Sequence, residues 1–229
     1  MSIKAVVFDL DDTLWDVNPV IVQAERAHYH WLNQHAPKLT ARFTERELRG
    51  YRMSLARRHS ELTHFVTRSR MRAMDECLRL SGYSDDEAAA LAEQAFAVFW
   101  QYRNKVEPFP YAFEALEGLK RTYVVGALSN GNADVVQTPL GEWFDFAFSA
   151  EGLSVAKPDP EAFQAVLDHL KCAPQEILFV GDNPEHDIEG AYRMGMRTLW
   201  VQVKPSAKSV NVESLLRVKC VLIATAGLS

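Results

Sequence analysis

Residues 3–13 read IKAVVF-DLDDT: an apolar, β-branched run that stops abruptly at Asp9-Leu10-Asp11-Asp12-Thr13. An apolar stretch of this length, without alternation of polar and apolar residues, is the pattern of a strand covered on both faces, as in a parallel sheet. Such a strand ends where the acids begin. In an open parallel sheet, ligands gather outside the carboxyl ends of the strands.

From Pro19 the periodicity changes. Val20, Ile21, Ala24, Ala27, Trp31 and Leu32 recur at helical spacing and put one apolar stripe on a long helix. Thr44 with Glu47 and Ser84 with Glu87 fit the capping box of a helix start. Between them, residues 63–80 carry Phe65, Val66, Met71, Met74, Cys77 and Leu78 at similar intervals. Residues 16–106 therefore read as an all-helical insertion, a bundle of about four helices. Pro108 and Pro110 close it.

Beyond them strands and helices alternate. Residues 112–120 are helical, and residues 123–128 (YVVGAL) form a strand ending at Ser129-Asn130-Gly131. A short strand is expected over 146–150, and Asp159-Pro160-Glu161 opens a helix with a cap, a proline at its first position and an acid in its first turn. Residues 177–180 (ILFV) form a strand ending at Gly181-Asp182; 188–194 are helical, 198–203 strand-like, 210–216 helical and 221–224 a last strand. Such alternation implies right-handed βαβ units. The fold class is α/β, with residues 1–15 and 107–229 as the sheet-bearing core and 16–106 as a helical insertion.

Composition excludes several functions. The 229 residues are 48% apolar and 24% charged, an ordinary globular balance. A formal net charge of −5 argues against nucleic acid as a main partner. Arginines at 49, 52, 57, 58, 68, 70 and 72 make one segment locally basic, either a solvated face or a surface meeting an anion. No apolar run approaches a membrane span, and the first nine residues lack signal-peptide character, so a cytoplasmic address is the expectation. Cys77, Cys172 and Cys220 are far apart and odd in number, which reads as free thiols rather than a zinc site or disulfide framework.

Three strands end in polar clusters: at Asp9, at Ser129 and at Gly181-Asp182-Asn183-Pro184-Glu185-His186-Asp187. If these strands are neighbours, the clusters share one crevice, and Lys157 can join from the loop before Asp159. A site holding Asp9, Asp11, Asp182 and Asp187 is tolerable only with a cation, and oxygen donors beside a phosphate suit Mg²⁺. Two carboxylates in one loop can divide the work of nucleophile and proton carrier.

Asp9 to Thr13 (DLDDT), Ser129-Asn130, Lys157-Pro158 and the GDxxxxD run from Gly181 to Asp187 resemble, in order, the four motifs of the haloacid dehalogenase-like (HAD) phosphatases. The resemblance spans essentially the whole chain. It implies a Rossmann-like, doubly wound core with a helical cap, and phosphomonoester hydrolysis through a phosphorylated aspartate. Carried over by position, Asp9 is the nucleophile and Asp11 the general acid/base. Ser129 and Lys157 hold the phosphate, with Asn130 beside them. Mg²⁺ is held by Asp9, Asp182 and the backbone carbonyl of Asp11. Asp187 either supports the metal site or adds a further acid to it. Thr13 is expected to organise the loop through backbone hydrogen bonds, Asp12 to be a turn former, and Gly181 to matter if backbone approaches the site closely.

Trp15, His28, Trp31, His59 and His64 are candidates to face a substrate, and at most one of Arg68 and Arg70, which cannot share a helix face. Arg26, residues 64–80 and the SNGNA run at 129–133 resemble a bacterial branch of the family that dephosphorylates flavin mononucleotide and the phosphorylated pyrimidine intermediate of riboflavin synthesis. The expected partner is a small phosphorylated metabolite. Three alternatives stay open: a phosphomutase, a metal-independent dehalogenase (generally lacking an acid two residues after the nucleophile, where Asp11 stands here) and a non-catalytic sensor.

Overall fold

The computed structural model describes residues 2–110 and 112–201, and among these the chain divides into two compact units. One comprises the chain up to Val17 and from Val106 onward; the other is Asn18–Lys105.

Among the described residues, the first unit is built on a five-stranded sheet of β1 (Ala5–Phe8), β2 (Val124–Ser129), β3 (Phe146–Ser149), β4 (Ile177–Gly181) and β5 (Arg197–Trp200). Their order is β3-β2-β1-β4-β5, and every pairing is parallel. The chain thus steps outward from β1 to β3, then returns to the other side of β1 for β4. The connection reverses between β1 and β4, and the crevice of such a sheet lies outside the carboxyl ends at that point. Phe8 is level with both Ala127 and Val180, and the Asp9 N–H donates to the Val180 carbonyl at 2.8 Å. Asp9 and Asp182 therefore leave the sheet side by side.

Every residue of β1 and β4 is buried, as the unbroken apolar runs required. Val7, Leu128, Phe163, Phe179 and Met196 pack into one cluster beneath the sheet.

The second unit contains five α-helices: α1 (Val17–His35), α2 (Pro37–Arg42), α3 (Glu45–Arg58), α4 (Val66–Leu80) and α5 (Asp85–Arg103). The fifth, short helix is α2, which Pro37 starts at its first turn. Both capping boxes form, at Thr44 with Glu47 and at Ser84 with Glu87. Leu32, Leu39, Met74, Cys77, Leu78, Ala88 and Ala92 make the core of this unit. The start expected at residue 63 moves to Val66, because a 3₁₀ turn at Ser60–Leu62 intervenes.

In the first unit, α6 (Ala112–Lys120), α7 (Ala150–Leu153), α8 (Pro160–Leu170) and α9 (Gly190–Arg193) complete the described helices. Asp159 caps α8 by accepting from the Glu161 N–H. Residue 150 opens α7 rather than ending a strand, because the Ser149 side chain accepts from the Gly152 N–H. The helix expected over 188–194 is present to Arg193 but begins earlier, as a π-helical turn, Pro184–Glu189, that α9 continues. The elements expected over 210–216 and 221–224, the end of the strand expected to reach 203, and Cys220 lie outside the described residues. No helix among the described residues is long and apolar enough to cross a membrane.

Candidate active site

The loop after β1 is shaped by its own hydrogen bonds. Asp12 takes a left-handed conformation (φ 62°), its N–H donates to the Trp15 carbonyl at 2.8 Å, and the Leu14 N–H donates to the Leu10 carbonyl at 2.8 Å. Asp12 is the turn former expected: its Oδ1 accepts from the Val17 N–H, opening α1. The tight turn carries Thr13 to the interior, where its hydroxyl lies 3.3 Å from both Asp9 Oδ2 and Asp182 Oδ1. With one proton, it can donate to only one of them at a time. Thr13 thus links two carboxylates, correcting the expectation that it serves backbone groups.

Lys157 is the positive centre of the site. Its ammonium donates to Asp9 Oδ1 at 2.7 Å and to Asp187 Oδ1 at 2.6 Å, and the side chain is 1% exposed. Asp187 is equally buried, and its Oδ2 accepts from the Asn183 N–H at 2.9 Å. Both Asp187 oxygens thus have partners in the protein. Gly181 leaves room for this acid: a Cβ there would stand 2.4 Å from Asp187 Oδ2 and 2.5 Å from its Cβ. The glycine serves close packing against the site as well as ending β4.

Asn130 bonds the backbone of Lys157. Its amide nitrogen donates to the Lys157 carbonyl at 2.8 Å and its oxygen accepts from the Lys157 N–H at 2.9 Å. The side chain is engaged on both ends in holding the lysine loop. Ser129 is buried at the end of β2, its Oγ accepting from the Gly131 N–H at 3.0 Å.

These groups surround a single cavity of about 240 Å³. Asp9, Asp11, Ser129, Asn130, Lys157, Asp182 and Asp187 all line it, so the residues singled out in four separate segments converge. Thr13 stands behind Asp9 and Asp182. The Asp9 carboxyl is pushed up to about 7: burial raises it most, Lys157 offsets part of that, and the neighbouring Asp187 raises it further. Burial opposes the charge on Lys157, yet the two carboxylates overcome it and hold the ammonium above its usual range.

Two contacts had no signal in the sequence. The buried Trp15 indole donates to Asp11 Oδ1 at 2.8 Å, and the Trp200 indole donates to the Asp182 carbonyl at 2.8 Å. Trp15, a candidate to face a substrate, lies in the sheet-bearing unit and turns its indole to Asp11. Within the helical unit, His28 is buried beside Glu25, Trp31 stacks on His35 at 4.2 Å, and His59 bonds Glu61. Arg70 is buried, pairing with Glu25 at 2.9 Å and stacking on Phe99 at 3.6 Å, whereas Arg68 is exposed over Phe65. The two arginines take opposite faces of α4, as their spacing required.

The chemistry of the donors suits a hard divalent ion. Asp9, Asp182 and Asp187 each offer a carboxylate oxygen within 4.8 Å of the others, with no sulfur or imidazole in the set.

Comparison with known proteins places this fold and site in a class. Residues 3–195 match the family model described as haloacid dehalogenase-like hydrolase, and the chain belongs to that family. It is similar to the 5-amino-6-(5-phospho-D-ribitylamino)uracil phosphatase YigB of Escherichia coli, with 32% identity covering 87% of this chain and 84% of that protein. It is also similar to (S)-2-haloacid dehalogenase 4A of Burkholderia cepacia, at 28% identity covering 86% and 82%. Among solved structures, one described as a 2-haloacid dehalogenase from Pseudomonas syringae matches with a TM-score of 0.86 and 37% identity, covering 97% of this chain and 99% of that one. The chain is an enzyme of the HAD hydrolase fold, with phosphatases and dehalogenases both among its relatives.

Proposed function

We propose that this enzyme is a Mg²⁺-dependent phosphomonoester hydrolase acting on a small phosphorylated metabolite through a phosphorylated Asp9. The observation that carries the reading is the placement of two carboxyl groups, Asp9 and Asp11, on one cavity with Lys157. A carboxylate oxygen of Asp9 attacks phosphorus, the bond to the ester oxygen breaks, and Asp11 gives its proton to the departing alcohol. Asp11, now ionised, takes a proton from water as that water attacks the phosphorus of the aspartyl-phosphate. Inorganic phosphate leaves and the Asp9 carboxylate is regenerated.

Lys157 and the Ser129 hydroxyl hold phosphate oxygens, while Asn130 keeps the lysine loop in place. Asp9 and Asp182, with the Asp11 carbonyl, would hold Mg²⁺, which supplies charge neutralisation at the phosphoryl group. Asp187, whose oxygens serve Lys157 and Asn183, acts in support. Similarity to the Escherichia coli ribitylaminouracil phosphatase favours a phosphorylated riboflavin precursor, or flavin mononucleotide, as substrate.

Replacing Asp9 by Asn tests the mechanism. Turnover of an aryl phosphate with Mg²⁺ should vanish; retained turnover overturns the reading. A panel of flavin mononucleotide, the phosphorylated ribitylaminouracil and sugar phosphates then ranks substrates, and strong preference for a sugar phosphate counts against the riboflavin assignment.

A second reading, a metal-independent 2-haloacid dehalogenase, rests on the similarity to haloacid dehalogenases. The acid at Asp11 weighs against it. Release of halide from a 2-haloacid in the presence of a chelator would establish it.

A further inference from the structure

We propose that Trp15 is a positioning residue for Asp11, holding the proton carrier at one orientation through both halves of the reaction. The inference rests on the assignment of Asp11 as that carrier. The indole N–H donates to Asp11 Oδ1 at 2.8 Å, across four residues of a chain that Asp12, at φ 62°, curls back on itself. Trp15 is 0% exposed. Its own backbone is held from two sides. The Asp12 N–H donates to its carbonyl at 2.8 Å, it forms a β-bridge with Pro108, and the Phe109 N–H donates to the adjoining Leu14 carbonyl at 2.8 Å. The backbone that carries the indole is thus fixed, and the ring, with no solvent-exposed face, is held by packing on every side.

Indole is a donor only. Oδ1 can accept its N–H whether Asp11 carries a proton on Oδ2 or is ionised. The same bond therefore orients the group when it protonates the leaving oxygen and when it takes a proton from water. A misplacement of about 1 Å in a reacting group can cost on the order of a hundredfold in rate.

A buried indole also needs an acceptor for purely structural reasons, so the test must separate the two roles. A nitrophenolate departs from phosphorus without a proton, whereas an alkoxide needs one. For Trp15→Phe, kcat/KM on an alkyl phosphate should fall at least about tenfold further than on 4-nitrophenyl phosphate. Equal losses on both substrates overturn the proposal. In an Asp11→Asn background, Trp15→Phe should change neither value by more than about twofold, because the two residues act as one unit; an additive loss overturns it.

Asp11→Asn alone separates the two levels of inference. If that change leaves the ratio of the two substrates unaltered, the proton-carrier assignment fails. If it shifts the ratio and Trp15→Phe does not, only the positioning role fails. Should Trp15→Phe not fold, the indole N–H of the unaltered protein still reports by ¹H–¹⁵N NMR. It should be slow to exchange and should move upfield in Asp11→Asn, and an unmoved resonance overturns the proposal.

Discussion

Asp9 and Lys157 stand 148 positions apart in the chain and 2.7 Å apart in the fold, with Asp187 bonded to the same ammonium at 2.6 Å. This triad is almost fully withdrawn from solvent. A buried group of this kind is held together by mutual compensation, so removing one member exposes the others to the full cost of burial.

Lys157→Met should therefore do more than weaken phosphate binding. It leaves Asp9 and Asp187 without their counter-charge, and the loss of stability should reach about 3–5 kcal/mol. Denaturant unfolding beside a turnover assay checks this: a variant of unchanged stability would contradict the compensation.

Magnesium binding should depend on pH with a definite sign. Burial raises Asp9 to about 7 in the metal-free protein, so below that pH an incoming cation must displace a proton. Affinity should fall by up to about tenfold for each pH unit below 7 and flatten above it, with proton release on binding. Titration calorimetry at pH 6 and pH 8, in buffers of different ionisation enthalpy, measures both effects. Removing the ion with a chelator should abolish phosphate-ester turnover.

Gly181→Ala places a methyl group against Asp187, and either the strand end or the acid must shift. Overpacking of this kind costs about 1–3 kcal/mol. Since Asp187 orients Lys157, the variant should lose turnover out of proportion to its modest gain in volume. Steady-state kinetics and a thermal melt give the comparison, and wild-type values for both would refute the close contact.

Within the helical unit, burial, reinforced by Arg70 and opposed by Glu25, lowers His28 to about 4. Unfolded, the same side chain takes up its proton near its ordinary pH of 6.5. Between these values the unfolded chain binds more protons, so stability must fall as pH drops from 6.5 to 4. The contribution is on the order of 3 kcal/mol at about 1.4 kcal/mol per pH unit. His28→Gln should flatten the dependence of unfolding free energy on pH over this window.

Much of the architecture was legible because its signals are local. The buried runs of β1 and β4, the capping boxes at Thr44 and Ser84 and the Asp159-Pro160 helix start each depend on a few neighbouring residues. Helical periodicity over 188–194 does not show that the element starts at Pro184 as a π-helical turn, nor does it separate α2 from its neighbours, because apolar periodicity does not distinguish helix types or short breaks. The clasp of the Asn130 amide on the Lys157 backbone is not legible in the sequence, because that backbone lies 27 positions away.

Residue types and their order along the chain determined an α/β sheet with a helical insertion, and marked the acids, the lysine and the strand ends that carry them. Only the tertiary structure decided that Thr13 would lie between two carboxylates, that Asn130 would clasp the Lys157 loop, and that the indoles of Trp15 and Trp200 would grip Asp11 and Asp182. The reason is physical. Helix and strand periodicity express forces between near neighbours, whereas a side chain's hydrogen-bond partner depends on where the packed sheet brings distant loops together.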